Sequence, residues 1–530
     1  IKPVAKKGYL ATFALVAIII LLLILTNYTN LSVAMYADRQ REIGMRKVLG
    51  ARTIDVAGQL LLEAVGLALL CLPFILLLSA LALPYFNELM GSKMAASQLF
   101  SFAGLGAIIL LLVLSGLISG AYPALVYSRR KTTHLFGRGV KNALQYRYLN
   151  FRNSLIALQF FLVVSLLSMT YFIYQQMQFI QERDLGFTKE NIVYFEISDS
   201  TKYSQLKATL TSLPEIEAVG AGGVPGADMY NQLTYKMKNT QVTLSDGTQQ
   251  YIGYDAIQTL EIACDACKKL ESGREQIFVI NRTAAEKLAT IKGVAPEELI
   301  GDILVTEPEW ENEEYGYGVH YTIDGIIDDY KYFSLKYPNQ SLLISIYRQP
   351  SWVYEMMVRA DTDDWPQTLA KIKTAYSTVE PQKPFSPTFL EDRLAILYES
   401  EARSGKLLAI LGSIAIVLAL MGLAGVVALL AYRRQKEIGI RKVLGASSWS
   451  ILLKFQREFS LLLLFAVVLA IPVSILFARQ WLAGFAYHIE PQFWVVGGAG
   501  LVVLVLISLV ISAQTHGAAS KPPTEVLRTS

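Results

Sequence analysis

The residues best placed to do chemistry are two copies of one charged decapeptide. Residues 42–51 read EIGMRKVLGA and residues 437–446 read EIGIRKVLGA, so nine of ten positions agree across an offset of 395. Each copy follows a long apolar segment and precedes another that carries an early glutamate, Glu63 or Glu458. Such self-similarity marks a repeated structural unit. The unit is therefore an apolar helix, a basic loop and a second apolar helix.

Each copy is predicted to form a short helix. Its apolar residues recur at i, i+3 and i+4, which places one apolar stripe beside a basic face. In the first copy these residues are Met45, Val48 and Leu49, and in the second they are Ile440, Val443 and Leu444.

Glycine and hydroxyl residues predict where these helices end and where the next ones begin. Gly50 and Gly445 stand where a helix C-cap glycine would. Thr53 and Ser448 are placed to N-cap the following apolar helices.

Two interpretations of the repeated loop are open. A cluster of Lys and Arg alone can fix membrane topology. An anchor of that kind does not need Glu-Ile-Gly before the basic residues and Leu-Gly-Ala after them, twice, so a docking element for a cytoplasmic partner is favoured. The predicted docking residues are Glu42, Ile43, Gly44, Arg46, Lys47, Gly50, Glu437, Ile438, Gly439, Arg441, Lys442 and Gly445.

Other chemistry finds little support in the sequence. No Gly-x-x-x-x-Gly-Lys-Ser/Thr phosphate loop occurs, so the chain is not expected to bind ATP or to be an enzyme. The four histidines are scattered, no metal site is expected, and Asp328 and Asp329 are expected on a solvated turn. Cys264 and Cys267 could form a disulfide, a redox pair or neither.

The apolar segments place the chain in a membrane. It is 53% hydrophobic and only 17% charged, unlike a soluble protein of 530 residues. About 20 helical residues span a bilayer, and seven uncharged runs reach that length. These predicted spans are residues 8–37, 64–87, 94–128, 153–181, 407–432, 459–478 and 491–520.

The loops between these runs predict the orientation. The loops that contain the two decapeptides, and the segment 129–152, are rich in Lys and Arg and are therefore expected in the cytoplasm. The polar segment 182–406 is then extracytoplasmic, and it is long enough to bury its own core. Its pattern is mixed α/β. Expected strands are residues 191–197, 276–281, 321–327, 342–347 and 352–358, and expected helices are 203–213, 283–290 and 365–376.

The fourth predicted span shows a helical pattern beyond its lipid-facing run. Ile173, Met177 and Ile180 continue the apolar stripe. On the return side the chain approaches the fifth span with Gly405 as the main expected helix breaker. The two segments are expected to pack as a two-helix stalk.

Longer strings around these motifs resemble a known family. The segments RQREIGMRKVLGARTIDVAGQLLLEAVGLAL and RRQKEIGIRKVLGASSWSILLKFQREFSLLL resemble the FtsX/MacB-like permease family of ABC transporters. SGAYPALVYS resembles the closing helix of that domain, and YQQMQFIQERDLGFTKENIV resembles the entry to a MacB-like periplasmic domain. The tandem arrangement resembles the large permeases of Bacteroidota-type envelopes.

The resemblance implies a domain organisation and partners. It predicts an α-helical polytopic membrane protein with two permease units, at 1–135 and 405–530, a basic linker at 136–153, a helix and stalk at 154–181, and a MacB-like α/β domain at 182–404. It also implies a cytoplasmic ABC ATPase dimer that binds the ATP. Membrane lipid is a further expected partner, as is a periplasmic adaptor, an outer-membrane protein or a lipoprotein, and nucleic acid is not. The implied location is the bacterial inner membrane, with the α/β domain in the periplasm.

Three functions are compatible with this pattern. The favoured one is export or extraction of a peptide, lipid-linked or hydrophobic substrate, energised by the partner ATPase. The alternatives are an FtsX-like regulator of a cell-wall hydrolase and a membrane sensor whose extracytoplasmic domain binds a ligand. The spans carry almost no ionisable residues, which argues against a channel or secondary transporter. The unpaired first repeat also predicts a further helix and α/β domain before Ile1.

Overall fold

The computed structural model describes residues 5–36, 39–90, 92–128, 142–226, 232–306, 319–349, 354–434 and 447–519, with single residues between 437 and 445. The chain divides into two compact units. A helical unit takes its residues from 1–176, 401–481 and 490–530, and an α/β unit takes its residues from 177–400 and 482–489.

Among its described residues, the first part of the chain forms seven helices. They are α1 (Ala5–Tyr36), α2 (Gln40–Val48), α3 (Thr53–Leu70), α4 (Leu72–Met90), α5 (Ala96–Leu99), α6 (Phe102–Ser128) and α7 (Asn142–Glu182). Helix α7 runs unbroken for 41 residues, so the predicted continuation of the fourth span is confirmed. Its residues Ile173 and Ile180 are buried, as their place in the apolar stripe requires.

The α/β unit contains eleven strands among its described residues. They are β1 (Ile192–Glu196), β2 (Ile216–Ala221), β3 (Gln232–Met237), β4 (Thr243–Gly253), β5 (Gln276–Asn281), β6 (Ile303–Thr306), β7 (His320–Thr322), β8 (Gly325–Ile327), β9 (Ser341–Tyr347), β10 (Glu355–Ala360) and β11 (Thr388–Phe389). Its helices are α8 (Ser200–Leu210), α9 (Tyr254–Thr259), α10 (Lys268–Glu271), α11 (Arg282–Lys292), α12 (Trp365–Val379) and α13 (Leu390–Ile396).

The strands form two sheets. A four-stranded antiparallel sheet has the order β11-β1-β10-β2, and a seven-stranded mixed sheet has the order β7-β6-β3-β4-β9-β5-β8. In the larger sheet β4 runs parallel to β9 and β5 runs parallel to β8. Three buried apolar clusters pack against these sheets. The expected strand at 321–327 was wrong as a single element, because the chain forms β7 and β8, which pair with different neighbours.

In its described residues, the chain returns to the helical unit through three long helices. They are α14 (Glu399–Arg433), α15 (Ser448–Leu482) and α16 (Phe493–Ala519). In the described residues, six helices are long and apolar enough to cross a membrane, and a shorter apolar helix covers Val16–Asn30. Each of these seven helices overlaps one of the seven predicted spans, although the third begins at Phe102 and not at Met94. The prediction of a polytopic helical protein with a mixed α/β domain is confirmed.

Glycine permits close helix packing inside the helical unit. A Cβ on Gly405 would lie 2.9 Å from the Ile173 side chain, so glycine lets α14 approach α7 at this point. The expectation that Gly405 breaks the helix was wrong, because this residue lies inside α14. The break falls at residues 397–398, between α13 and α14.

Candidate functional site

Helix α2 contains residues 42–48 of the first decapeptide and buries one side of them. Ile43 is 5% exposed and packs against Val56 and Leu60 of α3 and Ala124 of α6. The neighbouring Gly44 is also buried. The Glu-Ile-Gly part of the motif therefore attaches the loop to its own helices.

The apolar stripe on the other side of α2 is exposed. Met45 is 56% and Leu49 81% exposed, and the equivalent residues of the second copy, Ile440 and Leu444, are 53% and 80% exposed. Large apolar side chains with this exposure are available to a partner. The predicted stripe is thus present in the described residues of both copies and projects from the protein.

Helix α2 ends in a Schellman motif, as the glycine predicted. Gly50 has a φ of +100° and donates its N–H to the Lys47 carbonyl at 3.1 Å, while Ala51 N–H donates to the Arg46 carbonyl at 3.0 Å. Gly445 has a φ of +89° in the second copy. These left-handed conformations explain why both copies carry glycine here.

The predicted N-caps of the next helices were wrong by one residue in each copy. Helix α3 begins at Thr53, its N-cap is Arg52, and the Asp55 carboxylate accepts the Arg52 N–H at 3.0 Å. Helix α15 begins at Ser448, and the hydroxyl of Ser447 accepts the Ser450 N–H at 3.2 Å. A carboxylate at N3 in one copy and an N-cap hydroxyl in the other satisfy the free amides of the first turn.

Five side chains of the first copy form a closed ring of hydrogen bonds. Arg39 donates to Glu42 at 2.9 Å and to Glu63 at 2.7 Å. Arg46 donates to Glu42 at 2.7 Å and also to Gln59, and Gln59 donates to Glu63 at 3.0 Å. The ring joins α2 to the first turns of α3.

The ring stabilises its charged groups in the ionised form. Hydrogen bonds to Glu42 and Glu63 raise the pKa of the Arg39 guanidinium. The hydrogen bond from Arg39 lowers the pKa of Glu42 from its usual value. Lys47, which donates to the Ser128 carbonyl at the end of α6, has its pKa lowered by burial.

The second copy is connected differently in the residues that the structure describes. Glu437 pairs with Arg441 at 2.9 Å, four residues along, and with Lys454 of α15 at 2.9 Å. Lys454 occupies the position that Gln59 holds in the first copy. Its hydrogen bond is the main cause that lowers the pKa of Glu437.

Glu458 binds two arginines from different parts of the chain. Arg434 lies 3.4 Å from it, which reproduces the Arg39–Glu63 pair at the offset of 395. Arg152 of α7 lies 3.2 Å from the same carboxylate, and its side chain is only 4% exposed. The second loop is therefore connected to α7, the helix that leads toward the α/β unit.

The structure thus places the predicted residues in two groups. Ile43 and Gly44 face inward, whereas Glu42, Arg46 and Lys47 make side-chain contacts at the loop surface. Ile438, Gly439 and Lys442 lie outside the described residues. Sequence reasoning missed the partners Arg39, Gln59, Arg152 and Arg434, although a comparison at the offset of 395 pairs Arg39 with Arg434.

The cysteine and aspartate candidates lie in the α/β unit. Cys264 and Cys267 form a disulfide. Among the described residues, no group of His, Cys, Asp or Glu could hold a metal ion. Asp328 is exposed as expected, but Asp329 is not simply solvated, since it accepts hydrogen bonds from Asn281 at 2.6 Å and Asn339 at 2.7 Å.

The loop between α15 and α16 also belongs to the α/β unit. Ala486 and Tyr487 donate their backbone N–H groups to the carbonyls of Lys336 and Leu335, at 3.1 and 3.4 Å. The Tyr487 hydroxyl donates to Asn339 at 2.9 Å. The sequence analysis did not foresee this contact, because nothing in the short loop distinguishes it from a simple connection.

A family model covers both loops and the helices on either side of them. Residues 14–132 and 409–522 each match the FtsX-like permease C-terminal. The chain contains two FtsX-like permease domain segments. The segment between them, which includes the α/β unit's sheets, lies outside the matches. No curated protein matches the chain. With its apolar helices, the protein is a multi-pass membrane protein that carries a soluble α/β domain between spans.

Proposed function

We propose that the chain is the permease subunit of an ABC transporter. Its two FtsX-like segments favour this reading, since permeases of this type generally work with ABC ATPases. The observation that carries the proposal is the matched exposure of Leu49 and Leu444, which belong to equivalent loops. Two like ATPase subunits would find two like docking surfaces there, each an apolar stripe beside Arg and Lys.

The ATP in this proposal is bound by the partner, and the chain couples its hydrolysis to movement outside the membrane. Glu458 and Arg152 supply a route for this coupling. When the ATPase dimer closes at the second loop, it would pull on α7 through this ion pair, whose arginine is buried. A helix transmits such a displacement along its axis. We further propose that the α/β unit lies in the periplasm of an inner-membrane assembly. Its work would be export or extraction of a peptide, lipid-linked or hydrophobic substrate.

The docking surfaces are tested by Leu49→Asp and Leu444→Asp, singly and together. Both side chains are about four-fifths exposed, so the folded protein should tolerate the charge. The double variant should lose co-purification of the ATPase in mild detergent, and each single variant should retain part of it.

Met94→Asp is the matched control, because Met94 is 44% exposed in the loop between α4 and α5, on the face expected to be extracytoplasmic. It should leave ATPase recovery unchanged. Full recovery of the ATPase with the double variant, at normal membrane levels, would contradict the docking proposal.

A further inference from the structure

The seven-stranded sheet of the α/β unit curls until its two edges meet. Its edge strands β7 and β8 are separated by two residues, Ile323 and Asp324. Ile323 donates its N–H to the Asp302 carbonyl beside β6 at 2.9 Å, whereas Asp324 donates its N–H to the Phe278 carbonyl of β5 at 2.7 Å. Adjacent residues reach both sides of the sheet in this way because the sheet is rolled, as in a small barrel. The sheet therefore has an inner and an outer face.

The inner face is filled at one end and open at the other. At the filled end, Ile280 of β5 and Leu343 of β9 belong to a buried apolar cluster with Leu288 of α11. The antiparallel pairing of β5 and β9 places Tyr347, the last residue of β9, at the opposite end. Tyr251 of β4 also lies toward this end and is 42% exposed. The mouth of a rolled sheet is a common place for a ligand site.

Tyrosine hydroxyls and one amide form a connected group at the open end. The Tyr235 hydroxyl donates to Gln249 Oε1 at 2.9 Å, and Gln249 Nε2 donates to the Tyr321 hydroxyl at 2.7 Å. The Tyr321 ring stacks on Phe278 with 4.5 Å between the ring centroids. Burial, and then the neighbouring Tyr321, raise the pKa of Tyr251, so its hydroxyl stays protonated and can donate a hydrogen bond. The tyrosine platform consists of Gln249, Tyr251, Tyr321 and Tyr347.

The inner face around the tyrosine platform is uncharged in the described strands. Strand alternation directs these residues to it: Gln249, Tyr251, Gln276, Phe278, Tyr321, Ser345 and Tyr347. A phosphate, a carboxylate or a cation would lose water there without meeting an opposite charge. A wholly apolar molecule would cover the hydroxyls and the amide without replacing their hydrogen bonds to water. The fitting ligand is therefore neutral and has both an apolar face and hydrogen-bonding groups.

We propose that the tyrosine platform binds a neutral saccharide. A sugar ring presents a flat face of C–H groups, which packs on an aromatic ring, and a rim of hydroxyls, which exchange hydrogen bonds with phenols and amides. Tyr251 supplies the stacking face, because it is the most exposed ring of the platform. Gln249, Tyr321 and Tyr347 supply the polar partners. This site lies in the α/β unit and does not rest on the ATPase-docking loops.

Binding to an array of oligosaccharides tests the proposal. The full chain is reconstituted in phosphatidylcholine nanodiscs, so that no sugar-based detergent competes for the site. It is then applied to neutral oligosaccharides, acidic oligosaccharides and aromatic-rich peptides. We expect binding to at least one neutral oligosaccharide and weaker binding to the other two classes. Binding to none of the neutral oligosaccharides, or a preference for the acidic ones or the peptides, would overturn the proposal.

Variants at Tyr251 locate the site with the neutral oligosaccharide that binds most tightly. Tyr251→Ala removes the stacking ring and should weaken its affinity about tenfold or more. Tyr251→Phe keeps the ring and should weaken it less. Tyr337→Ala is the matched control, because Tyr337 is 41% exposed but precedes β9, whereas Tyr347 ends that strand. The control should leave the affinity unchanged.

Removal of one platform hydroxyl gives a second measurement that holds even where Tyr251→Ala fails to fold. Tyr347→Phe keeps its ring in place and should weaken the affinity about threefold to tenfold at an unchanged melting temperature. Unchanged affinity in a folded Tyr251→Ala or Tyr347→Phe variant, or an equal loss in Tyr337→Ala, would show that the sugar binds elsewhere. These measurements need no ATPase, so their failure is distinct from failure of the permease proposal.

Discussion

The two decapeptide loops share nine of ten residues, yet different contacts hold them. In the first loop, Arg39, Glu42, Arg46, Gln59 and Glu63 close a ring between α2 and α3. In the described part of the second loop, Glu437 and Glu458 belong to separate groups, and Arg152 of α7 joins the second of them. Residues outside the decapeptide make the difference, since Lys454 replaces Gln59 and α7 supplies an arginine.

This difference distinguishes the features that would bind the ATPase from the contacts that would transmit its movement to the helices. The exposed apolar stripe and the left-handed glycine are alike in the two loops, as two identical partners would require. The connection to the rest of the helical unit is not alike. We expect the second loop to act on α7 and the first to act mainly on α3 and α6.

Removal of the glutamate early in the second apolar helix of each repeat, Glu63 or Glu458, should give the largest difference between the two loops. Glu458→Ala withdraws a carboxylate from an arginine that is 4% exposed, whereas Glu63→Ala affects an arginine that is 40% exposed. We expect a loss of about 3–5 kcal/mol for Glu458→Ala, because a buried guanidinium loses a carboxylate partner. We expect about 1 kcal/mol or less for Glu63→Ala.

Equilibrium unfolding in mixed detergent micelles measures this difference. Glu458→Gln is the control that keeps the side-chain length and a hydrogen-bond acceptor, and it should lose less than Glu458→Ala. Equal losses for the two alanine variants would show that Arg152 does not distinguish the loops.

Substitution of the glycine that ends each motif helix should lower the stability of the two loops by the same amount. Gly50→Ala and Gly445→Ala each force an L-residue into a left-handed conformation, at φ near +100° and +89°. Among the described residues, no atom beyond the adjacent residues of the chain lies within 4 Å of the added Cβ in either case, so the loss should be conformational only, about 1–2 kcal/mol.

Asparagine tolerates this conformation better than alanine, so Gly50→Asn and Gly445→Asn should lose less. The same unfolding measurement checks both pairs. Losses that differ widely between the loops would mean that one glycine serves another purpose, such as close approach of a partner.

Gln59 and Lys454 occupy the same position in the two repeats. Exchanging these residue types should convert the hydrogen-bond network of one loop into that of the other. Lys454→Gln removes an ion pair whose two side chains are both 45% exposed, so the loss should be below about 1 kcal/mol. Gln59→Lys should interrupt the ring, because lysine cannot accept the hydrogen bond that Arg46 donates to Gln59.

The dependence of stability on ionic strength shows whether Lys454 acts through its ion pair or through packing. Added salt should narrow the difference between Lys454→Gln and the parent chain, because it screens an exposed pair. A Lys454→Gln effect that does not change with ionic strength would argue that Lys454 acts through packing.

Acidification should give the smallest effect and the same one in both loops. Hydrogen bonds from Arg39 and Lys454 lower the folded-state pKa of Glu42 and Glu437. Their stabilising contribution is therefore complete above the unfolded pKa of about 4.3 and is lost as pH falls through the lower folded value.

Hydrogen exchange of peptide 42–51, corrected for the intrinsic rate, should keep its protection from pH 7 to 5 and lose it below about pH 4. Glu42→Gln should remove this dependence. Protection that falls between pH 7 and 5 would assign the effect to another group.

The sequence predicted the membrane architecture and the motif helix well, for local reasons. An uncharged run of about 20 residues has few stable alternatives to a membrane helix. The glycine at position 50 predicts a left-handed backbone conformation, since glycine adopts this conformation without strain. The N-caps were less certain because several residue types satisfy the same free amide, and in each copy the cap is one residue earlier than predicted.

The sequence by itself determined the repeated unit, the seven apolar helices, the mixed α/β character and the existence of two equivalent loops. Those properties arise from composition, periodicity and residue identity within a short stretch of chain. Only the tertiary structure decided that Glu458 meets Arg152, that Asp329 binds the end of β5 and the segment before β9, and that Asn27 fills the space beside Gly422. Except for the contact between Asp329 and the segment before β9, these contacts join residues far apart in the chain, and no local pattern specifies which distant side chain will occupy the space beside another.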